Sequence, residues 1–265
     1  MKDNAVISPT PLVTSPLVKM VNIHKSYGAV TALNGVDIVV GGNEIVGLIG
    51  DNGAGKSTLI KVLTGVEKQD EGQIYWKDEE VKRHTVENSR NMGIETVFQD
   101  RALAEKQNIW RNLFMGRELT YGKTGFIRIG ESQREAINVL KKMIGFTQSG
   151  LTPNLGVMGL SGGEKQGIAI ARALYFDAEL IILDEPTNNL SLSETNKVLD
   201  FVRWAKEQGK SCIFITHSIY HVYSVADRFV ILDRGNTIGG FIKKDLSLDE
   251  LVEKLEYVAK HGTLN

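Results

Sequence analysis

Short apolar runs alternate with segments of helical periodicity along most of the chain. Runs of apolar residues without polar alternation are typical of strands that are buried on both faces of a sheet. Such strands are predicted at residues 44–49, 180–183, 211–216 and 228–232. The pattern therefore predicts an α/β fold, in which a mainly parallel sheet carries helices on both faces.

Other parts of the chain follow a different pattern. The shorter segments 17–24, 36–40 and 73–76 predict strands of a small antiparallel sheet. From about residue 101 to 159 no strand pattern is present, and one amphipathic helix is indicated by apolar residues at helical spacing: Ala136, Val139, Leu140, Met143 and Ile144. We therefore expect a helical subdomain at about 101–175, inserted between two strands of the main sheet.

The last third of the chain predicts two more helices. Ser247 and Glu250 have the Ser-x-x-Glu spacing of a capping box before an apolar face, so a helix is expected to begin there. An earlier helix is marked by four apolar residues at helical spacing: Val198, Phe201, Val202 and Ala205.

The N-terminal residues 1–16 differ in composition from the rest. They carry Pro9, Pro11 and Pro16 among Ser and Thr, and they lack the basic start and apolar centre of a signal peptide. We therefore expect a loose tail there and a single domain over residues 17–265. The chain is 42% hydrophobic, which is enough for a proper core.

Charge and cysteine content exclude several classes of protein. The formal net charge of -1 gives no electrostatic case for a nucleic-acid partner. The lone Cys212 excludes a disulfide within the chain, and its apolar surroundings in sequence indicate a small core hydrophobe. No apolar stretch approaches the ~18 residues that a membrane span needs. We expect a soluble chain, or one held at a membrane through a partner.

Residues 50–57 match the phosphate-loop pattern G-x-x-x-x-G-K-[ST] between a predicted strand and a predicted helix. In this pattern glycines turn backbone N–H groups toward a phosphate, and the helix start adds its positive end. Lys56 would place a positive charge between the β- and γ-phosphates, and the Ser57 hydroxyl would ligate Mg²⁺. We predict ATP binding by residues of this segment and the one that follows it: Asn52, Gly53, Ala54, Gly55, Lys56, Ser57 and Thr58.

Two carboxylates follow the apolar strand at 180–183. Asp184 at the strand end would hold Mg²⁺, directly or through water, and Glu185 would act as general base toward an attacking water. Taken alone, two acids after an apolar run are equally consistent with the start of a loop. The phosphate loop in the same chain favours the catalytic interpretation.

The segment Leu-Ser-Gly-Gly-Glu at 160–164 opens a predicted helix. Ser161 and Gly163 would form a second anion site at this helix start, although Ser161 and Glu164 also fit an ordinary capping box. One nucleotide needs only one phosphate loop. A second anion site therefore suggests contact with a nucleotide held by another copy of the chain.

Taken together, these motifs resemble those of ATP-binding-cassette ATPase subunits, and they occur here in the order found in that family. The resemblance extends from about residue 17 to about residue 255. It implies that Tyr27 stacks on adenine, that Gln99 reaches Mg²⁺ and links the core to the helical subdomain, and that His217 contacts the γ-phosphate. With Glu185 and Lys56, the resemblance makes Gln99 and His217 the catalytic residues.

Two features refine the resemblance. Ser191 stands where many members of the family have an acid, and this form, with the segment 112–118, resembles cassettes of bacterial ribose- and fructose-type sugar importers. Such importers often carry two cassettes in one chain, whereas this chain has one, so a homodimer is expected. The segment 100–108 is more charged than expected for sugar cassettes.

The resulting hypothesis is a head-to-tail homodimer that encloses two ATP molecules and powers sugar import. Its implied partners are membrane permease subunits and, through them, a substrate-binding protein, with the chain peripheral on the cytoplasmic face of the membrane. Importers of amino acids, metals or lipids, a soluble cassette outside transport and a phosphate-loop kinase are the alternatives. The signature at 160–164 disfavours the kinase.

Overall fold

The computed structural model describes residues 15–97, 103–144 and 152–264. The strands within these ranges are β1 (Pro16–Tyr27), β2 (Val30–Gly41), β3 (Ile45–Ile49), β4 (Glu71–Trp76), β5 (Glu79–Glu80), β6 (Ile94–Val97), β7 (Leu180–Asp184), β8 (Ser211–Ile215), β9 (Arg228–Asp233) and β10 (Asn236–Ile242). The α-helices are α1 (Lys56–Leu63), α2 (Val86–Asn91), α3 (Ile109–Phe114), α4 (Ile129–Ile144), α5 (Gly162–Tyr175), α6 (Leu192–Glu207), α7 (Ile219–Val225) and α8 (Leu248–His261).

The main sheet has the strand order β10-β9-β3-β8-β7-β6. Its pairs from β9 to β6 are parallel, and only β10 runs antiparallel, against β9. Every residue of β3, β7 and β8 is buried, as expected for strands covered on both faces. The predicted mainly parallel sheet is confirmed.

Alternate residues of the main sheet belong to two separate hydrophobic clusters. Ile45 and Phe214 point into a cluster that includes apolar residues of α3 to α8. Their neighbours Val46 and Ile213 point into a second cluster, formed with α1 and the antiparallel sheet. Because side chains alternate along a strand, each strand contributes to both clusters. The prediction of helices on both faces is therefore confirmed, with the small sheet sharing one face with α1.

The antiparallel sheet has the strand order β2-β1-β4-β5, which confirms the three strands predicted in this part of the chain. The buried Arg228 of β9 joins it to the main sheet. Its guanidinium donates to Glu44 Oε1 at 2.8 Å and to the carbonyl oxygen of Val39 at 2.5 Å. A charged group so deeply buried needs these partners, so the contact fixes the two sheets relative to each other.

The described parts of the segment between β6 and β7 contain the helices α3, α4 and α5, as expected. Helices α3 and α4 pack on α5, and Ala136, Val139 and Leu140 of α4 are buried in the helical cluster. Asn112 of α3 is also buried, and its side chain both accepts from the Ala104 N–H at 2.7 Å and donates to the Ala104 carbonyl at 3.2 Å. The expected bounds of the helical subdomain and of the single domain remain predictions.

Three further expectations concern Cys212, the N-terminal tail and membrane-spanning segments. Cys212 has no exposed surface, and burial raises the pKa of its thiol to about 12, which confirms a core residue. Of the expected tail, only Ser15 and Pro16 are described, and Pro16 already begins β1. Among the described helices none is long and apolar enough to cross a membrane.

Candidate functional site

The phosphate loop connects β3 to α1 and depends on its glycines. A Cβ on Gly50 would lie 2.3 Å from the Leu232 carbonyl oxygen, and a Cβ on Gly55 would lie 2.7 Å from the Ala32 carbonyl oxygen. Gly55 also has φ = 102°, a left-handed conformation that other residues rarely adopt. In the described part of the chain no side chain caps α1 at Gly55, so its first N–H groups face the loop.

Lys56 lies in the first turn of α1 and is 8% exposed. Its ammonium group donates to the carbonyl oxygens of Gly50 at 2.6 Å and Asp51 at 3.0 Å, across the loop. Burial lowers the pKa of Lys56, and the nearby carboxylates of Glu185, Asp184 and Asp51 act in the opposite direction. The positive charge of Lys56 is therefore held inside the loop and near both predicted acids.

The acids and the histidine come from the strands beside β3. Asp184 is the last residue of β7 and is paired with Ile215 of β8, after which the chain reaches His217. Since β3, β8 and β7 are adjacent and parallel, their carboxyl ends meet at one edge of the sheet. The structure therefore brings the loop, Asp184, Glu185 and His217 together there.

Glu185 and His217 form a close pair at this edge. Glu185 Oε2 and His217 Nδ1 lie 3.0 Å apart; the side chain of Glu185 is 11% exposed and that of His217 is 66% exposed. Glu185 has φ = 48°, which is rare outside glycine and is a form of strain found at functional sites. Its backbone N–H donates to the Ile215 carbonyl at 2.9 Å, which fixes this conformation.

A second histidine near the site, His221, was not singled out by the sequence. His221 of α7 has its Nδ1 3.1 Å from Oγ1 of the buried Thr187, which follows Glu185 in the next loop. Burial lowers the pKa of His221, and the nearby His217 lowers it further. The pair joins the segment after β7 to the segment after β8.

The signature segment, residues 160–164, lies at the start of α5 and does not directly follow a strand of the main sheet, unlike the phosphate loop and the Asp184–Glu185 pair. Ser161 caps α5, and with Glu164 it forms a complete capping box. The Gly163 N–H donates to Glu194 Oε1 of α6 at 2.8 Å. The capping interpretation is thus present within one copy of the chain, and the Gly163 N–H is occupied by Glu194, a contact that sequence reasoning missed.

Tyr27 and Gln99 were also predicted to belong to the site. Tyr27 ends β1 and is 43% exposed, with the Lys25 ammonium 5.5 Å from its ring centre. It lies opposite Val30 in the β1–β2 hairpin, and β2 contacts the phosphate loop at Ala32. Gln99 lies outside the described residues; β6, which precedes it, ends at Val97.

The fold and the site define a phosphate-loop ATPase cassette. Residues 33–188 match the ABC transporter family. The chain is 40% identical over 240 residues to the xylose/arabinose import ATP-binding protein XylG of Sulfolobus acidocaldarius, with 90% of this chain and 93% of that protein covered. The chain belongs to the ABC transporter family.

Other relatives are longer than this chain. It is 37% identical to the ribose import ATP-binding protein RbsA of Geobacillus kaustophilus, covering 90% of this chain but only 48% of that protein. The chain thus spans about half the length of this relative, and 46% of the xylose import ATP-binding protein of Photobacterium profundum.

Solved structures agree with the fold. A dimeric post-hydrolysis ATP-binding cassette bound to ADP and Pi has a TM-score of 0.73 and 26% identity, with 85% of this chain and 98% of that chain covered. A nucleotide-free cassette from an ABC transporter has a TM-score of 0.78 over 89% of this chain and 95% of that chain, at 24% identity.

Proposed function

We propose that this chain hydrolyses MgATP as a homodimer and thereby powers sugar import through membrane permease subunits. The observation that carries the proposal is the meeting of the phosphate loop, Asp184, Glu185 and His217 at the carboxyl ends of adjacent strands. The likeness to a xylose/arabinose import ATP-binding protein supports the assignment to sugar import.

The triphosphate would bind along the loop and the start of α1. The uncapped N–H groups of α1 suit an anion, and Lys56 adds a positive charge that the fold has already partly removed from water. Since burial lowers the pKa of Lys56, a bound triphosphate would stabilise its charged form. Tyr27, exposed in its hairpin, is the proposed adenine platform.

The residues near the loop also fit a magnesium ion. Ser57 presents a hydroxyl in the first turn of α1, and Asp184 presents a carboxylate at the end of β7. Hydroxyl, carboxylate and phosphate oxygens are the ligands that Mg²⁺ prefers. The ion, when bound, would neutralise charge that develops on the phosphate oxygens. Gln99 is a further proposed ligand, which lies outside the described residues.

Glu185 and His217 would carry the water attack. The carboxylate of Glu185, whose side chain is 11% exposed, would take a proton from a water molecule, and the exposed side chain of His217 would reach the γ-phosphate. Their separation of 3.0 Å keeps the two side chains in one arrangement. The strained backbone of Glu185 supports a functional position, because such strain is retained only where the surrounding structure enforces it.

The start of α5 completes the proposed site in a second copy. Ser161 and Gly163 would contact the γ-phosphate of ATP bound to the partner copy, so that two copies enclose two nucleotides. Closure would move the helical segment containing α3 and α4, which is proposed to dock on permease subunits at the cytoplasmic face of the membrane. A substrate-binding protein would deliver the sugar to the permease.

The test is a Glu185→Gln variant. The amide keeps the size of the side chain but cannot act as a base, so ATP binding should persist while turnover falls roughly 10²–10⁴-fold. The variant should accumulate as an ATP-bound dimer. ATP binding is measured by equilibrium dialysis, turnover by phosphate release and dimer formation by analytical ultracentrifugation.

Glu253→Gln in α8 is the matched control, because Glu253 is exposed on a helix remote in sequence from all the motifs. It should leave turnover and mass unchanged. Normal hydrolysis by the Glu185→Gln variant would overturn the role of Glu185. A variant that binds ATP yet stays monomeric at every protein concentration would overturn the homodimer.

A further inference from the structure

Glu194 joins the starts of two helices. It occupies the third position of α6, where its Oε2 accepts from the Ser191 N–H at 3.0 Å and from the Ser191 hydroxyl at 2.9 Å. Its other oxygen, Oε1, accepts from the Gly163 N–H of α5 at 2.8 Å. One carboxylate thus satisfies N–H groups at both helix starts, which both carry positive partial charge.

The contact requires glycine at position 163. A Cβ on Gly163 would lie 2.6 Å from Glu194 Cγ and 2.9 Å from Glu194 Oε1. Only a residue without a side chain allows the carboxylate to approach this closely. Gly163 of the signature therefore has a structural use within one copy of the chain, besides its proposed use toward a nucleotide.

The other capping boxes show what is particular to Glu194. Ser161 with Glu164, and Ser247 with Glu250, form the same reciprocal pair at the starts of α5 and α8. The described hydrogen bonds of Glu164 and Glu250 stay within their own helix starts. Glu194 alone among these three also accepts from another helix.

Hydrogen bonds from the backbone of Ser191 and Gly163 lower the pKa of Glu194 to about 2. The carboxylate is therefore negative throughout the neutral range. A negative group that is held at the Gly163 N–H repels a second anion and takes the donor that this anion would use.

We infer that the contact from the Glu194 carboxylate to the Gly163 N–H acts as a latch. Glu194 must release this N–H before the γ-phosphate of ATP bound to a partner copy can bind there. The inference rests on the proposed ATP-bound homodimer. Within each copy the latch ties the loop that follows Asp184 and Glu185 to the start of α5. It raises the ATP concentration that is needed for closure, and so opposes dimer formation when nucleotide is scarce.

The test measures ATP-dependent dimer formation in the Glu185→Gln background, where hydrolysis does not consume the dimer. The added changes are Glu194→Ala, Glu194→Gln and, as matched control, Glu250→Ala in the corresponding position of α8. Ser191 still accepts from the backbone N–H of residue 194, so α6 keeps its cap in each variant. Circular dichroism checks the fold, and sedimentation gives the ATP concentration at half dimerisation.

Loss of the latch should lower that ATP concentration about tenfold or more, since a hydrogen bond to a charged group corresponds to a factor of roughly 10–150. The Glu194→Gln change, which removes the charge and keeps an acceptor, should give a smaller shift in the same direction. The Glu250→Ala change should give none.

The other outcomes separate failure of the latch from failure of the proposed homodimer. If the Glu185→Gln parent dimerises with ATP and neither Glu194 change lowers the midpoint, the latch is overturned and the proposed homodimer stands. If only the Glu194 variants dimerise, both ideas are supported. If no variant dimerises at any ATP concentration, the homodimer is overturned, and the latch with it.

Discussion

At the scale of single residues, the phosphate loop leaves no room for a side chain at Gly50. The nearest atom to a Cβ there would be the backbone oxygen of Leu232, which cannot rotate away. A Gly50→Ala substitution should therefore displace the loop, lowering ATP affinity at least tenfold and the melting temperature by several degrees, as expected for about 1–3 kcal/mol of overpacking.

Gly42 offers the matched control for that prediction. A Cβ on Gly42 would meet nothing within 4 Å, and the φ of Gly42 is not positive. Gly42→Ala should leave ATP affinity, measured by titration calorimetry, and the melting temperature close to those of the parent. Equal behaviour of the two variants would show that the loop relaxes around a methyl group.

The Glu185–His217 pair predicts a separation of catalysis from binding. His217→Ala removes a side chain that is 66% exposed, so folding should be little affected. Turnover should fall roughly 10²-fold or more, while the dissociation constant for ATP changes much less. His261→Ala, at the exposed end of α8, is the control. A parallel rise in the ATP dissociation constant would make His217 a binding residue instead.

Glu194 also predicts a pH dependence of stability. Its pKa is lowered from 4.5 to about 2 in the folded chain, so the unfolded state binds the proton first as pH falls. The stabilisation is therefore complete above about pH 4.5 and is lost progressively toward pH 2. The difference in free energy of unfolding between the parent and Glu194→Gln should shrink across that window. A difference independent of pH would show that the charge of Glu194 contributes nothing.

Local motifs and distant contacts differ in how far the sequence predicts them. Lys56 and Glu185 could be predicted because the residues around them in sequence define the motif. Glu194 contacts Gly163 across 31 residues, and His221 contacts Thr187 across 34. Such pairs depend on how α6 and α7 pack, which no local pattern encodes.

At the scale of elements, strands with uniform burial were predictable, whereas β6 and β10 were not. The strands β3, β7 and β8 are mostly apolar and are buried at every residue, so their bounds matched prediction closely. β10 contains Gly239 and Gly240, which weaken strand propensity, and it is held by pairing with β9. β6 has only 4 residues, too few for a pattern to emerge.

The junction between the two sheets predicts a large effect from one carboxylate. Glu44 accepts from Arg228, whose side chain is only 3% exposed. Glu44→Ala would leave the guanidinium charge uncompensated in the protein, which should destabilise the fold by about 3 kcal/mol in urea denaturation. Asp200→Ala breaks the surface pair with Arg203 and should leave stability unchanged within error. Equal effects would mean that water reaches Arg228.

At the scale of the whole molecule, the site arises from the order of strands in the main sheet. The chain visits β3, then β7, then β8, yet these lie side by side as β3-β8-β7. Motifs more than a hundred residues apart in sequence therefore meet at one edge. The sequence contains each motif and predicts a parallel sheet, but strand order follows only from resemblance to a known family.

The proposed coupling to a membrane predicts which surface a permease contacts. The segment between α3 and α4 exposes apolar side chains, with Phe126 75% and Tyr121 59% exposed. Affinity purification of the chain from detergent-solubilised membranes should therefore recover a polytopic membrane protein in stoichiometric amount. Phe126→Ser should reduce that recovery several-fold, because it removes apolar contact area from the proposed docking segment.

Val30→Ser is the matched control for this prediction, since Val30 is 66% exposed but lies in the β1–β2 hairpin. It should leave recovery of the membrane protein unchanged. Equal losses for both variants would mean that Phe126 acts only as an exposed apolar residue. Recovery of soluble partners alone, with the chain absent from the membrane fraction, would contradict a transporter role for this cassette, because ATP hydrolysis would then have no membrane subunit to move.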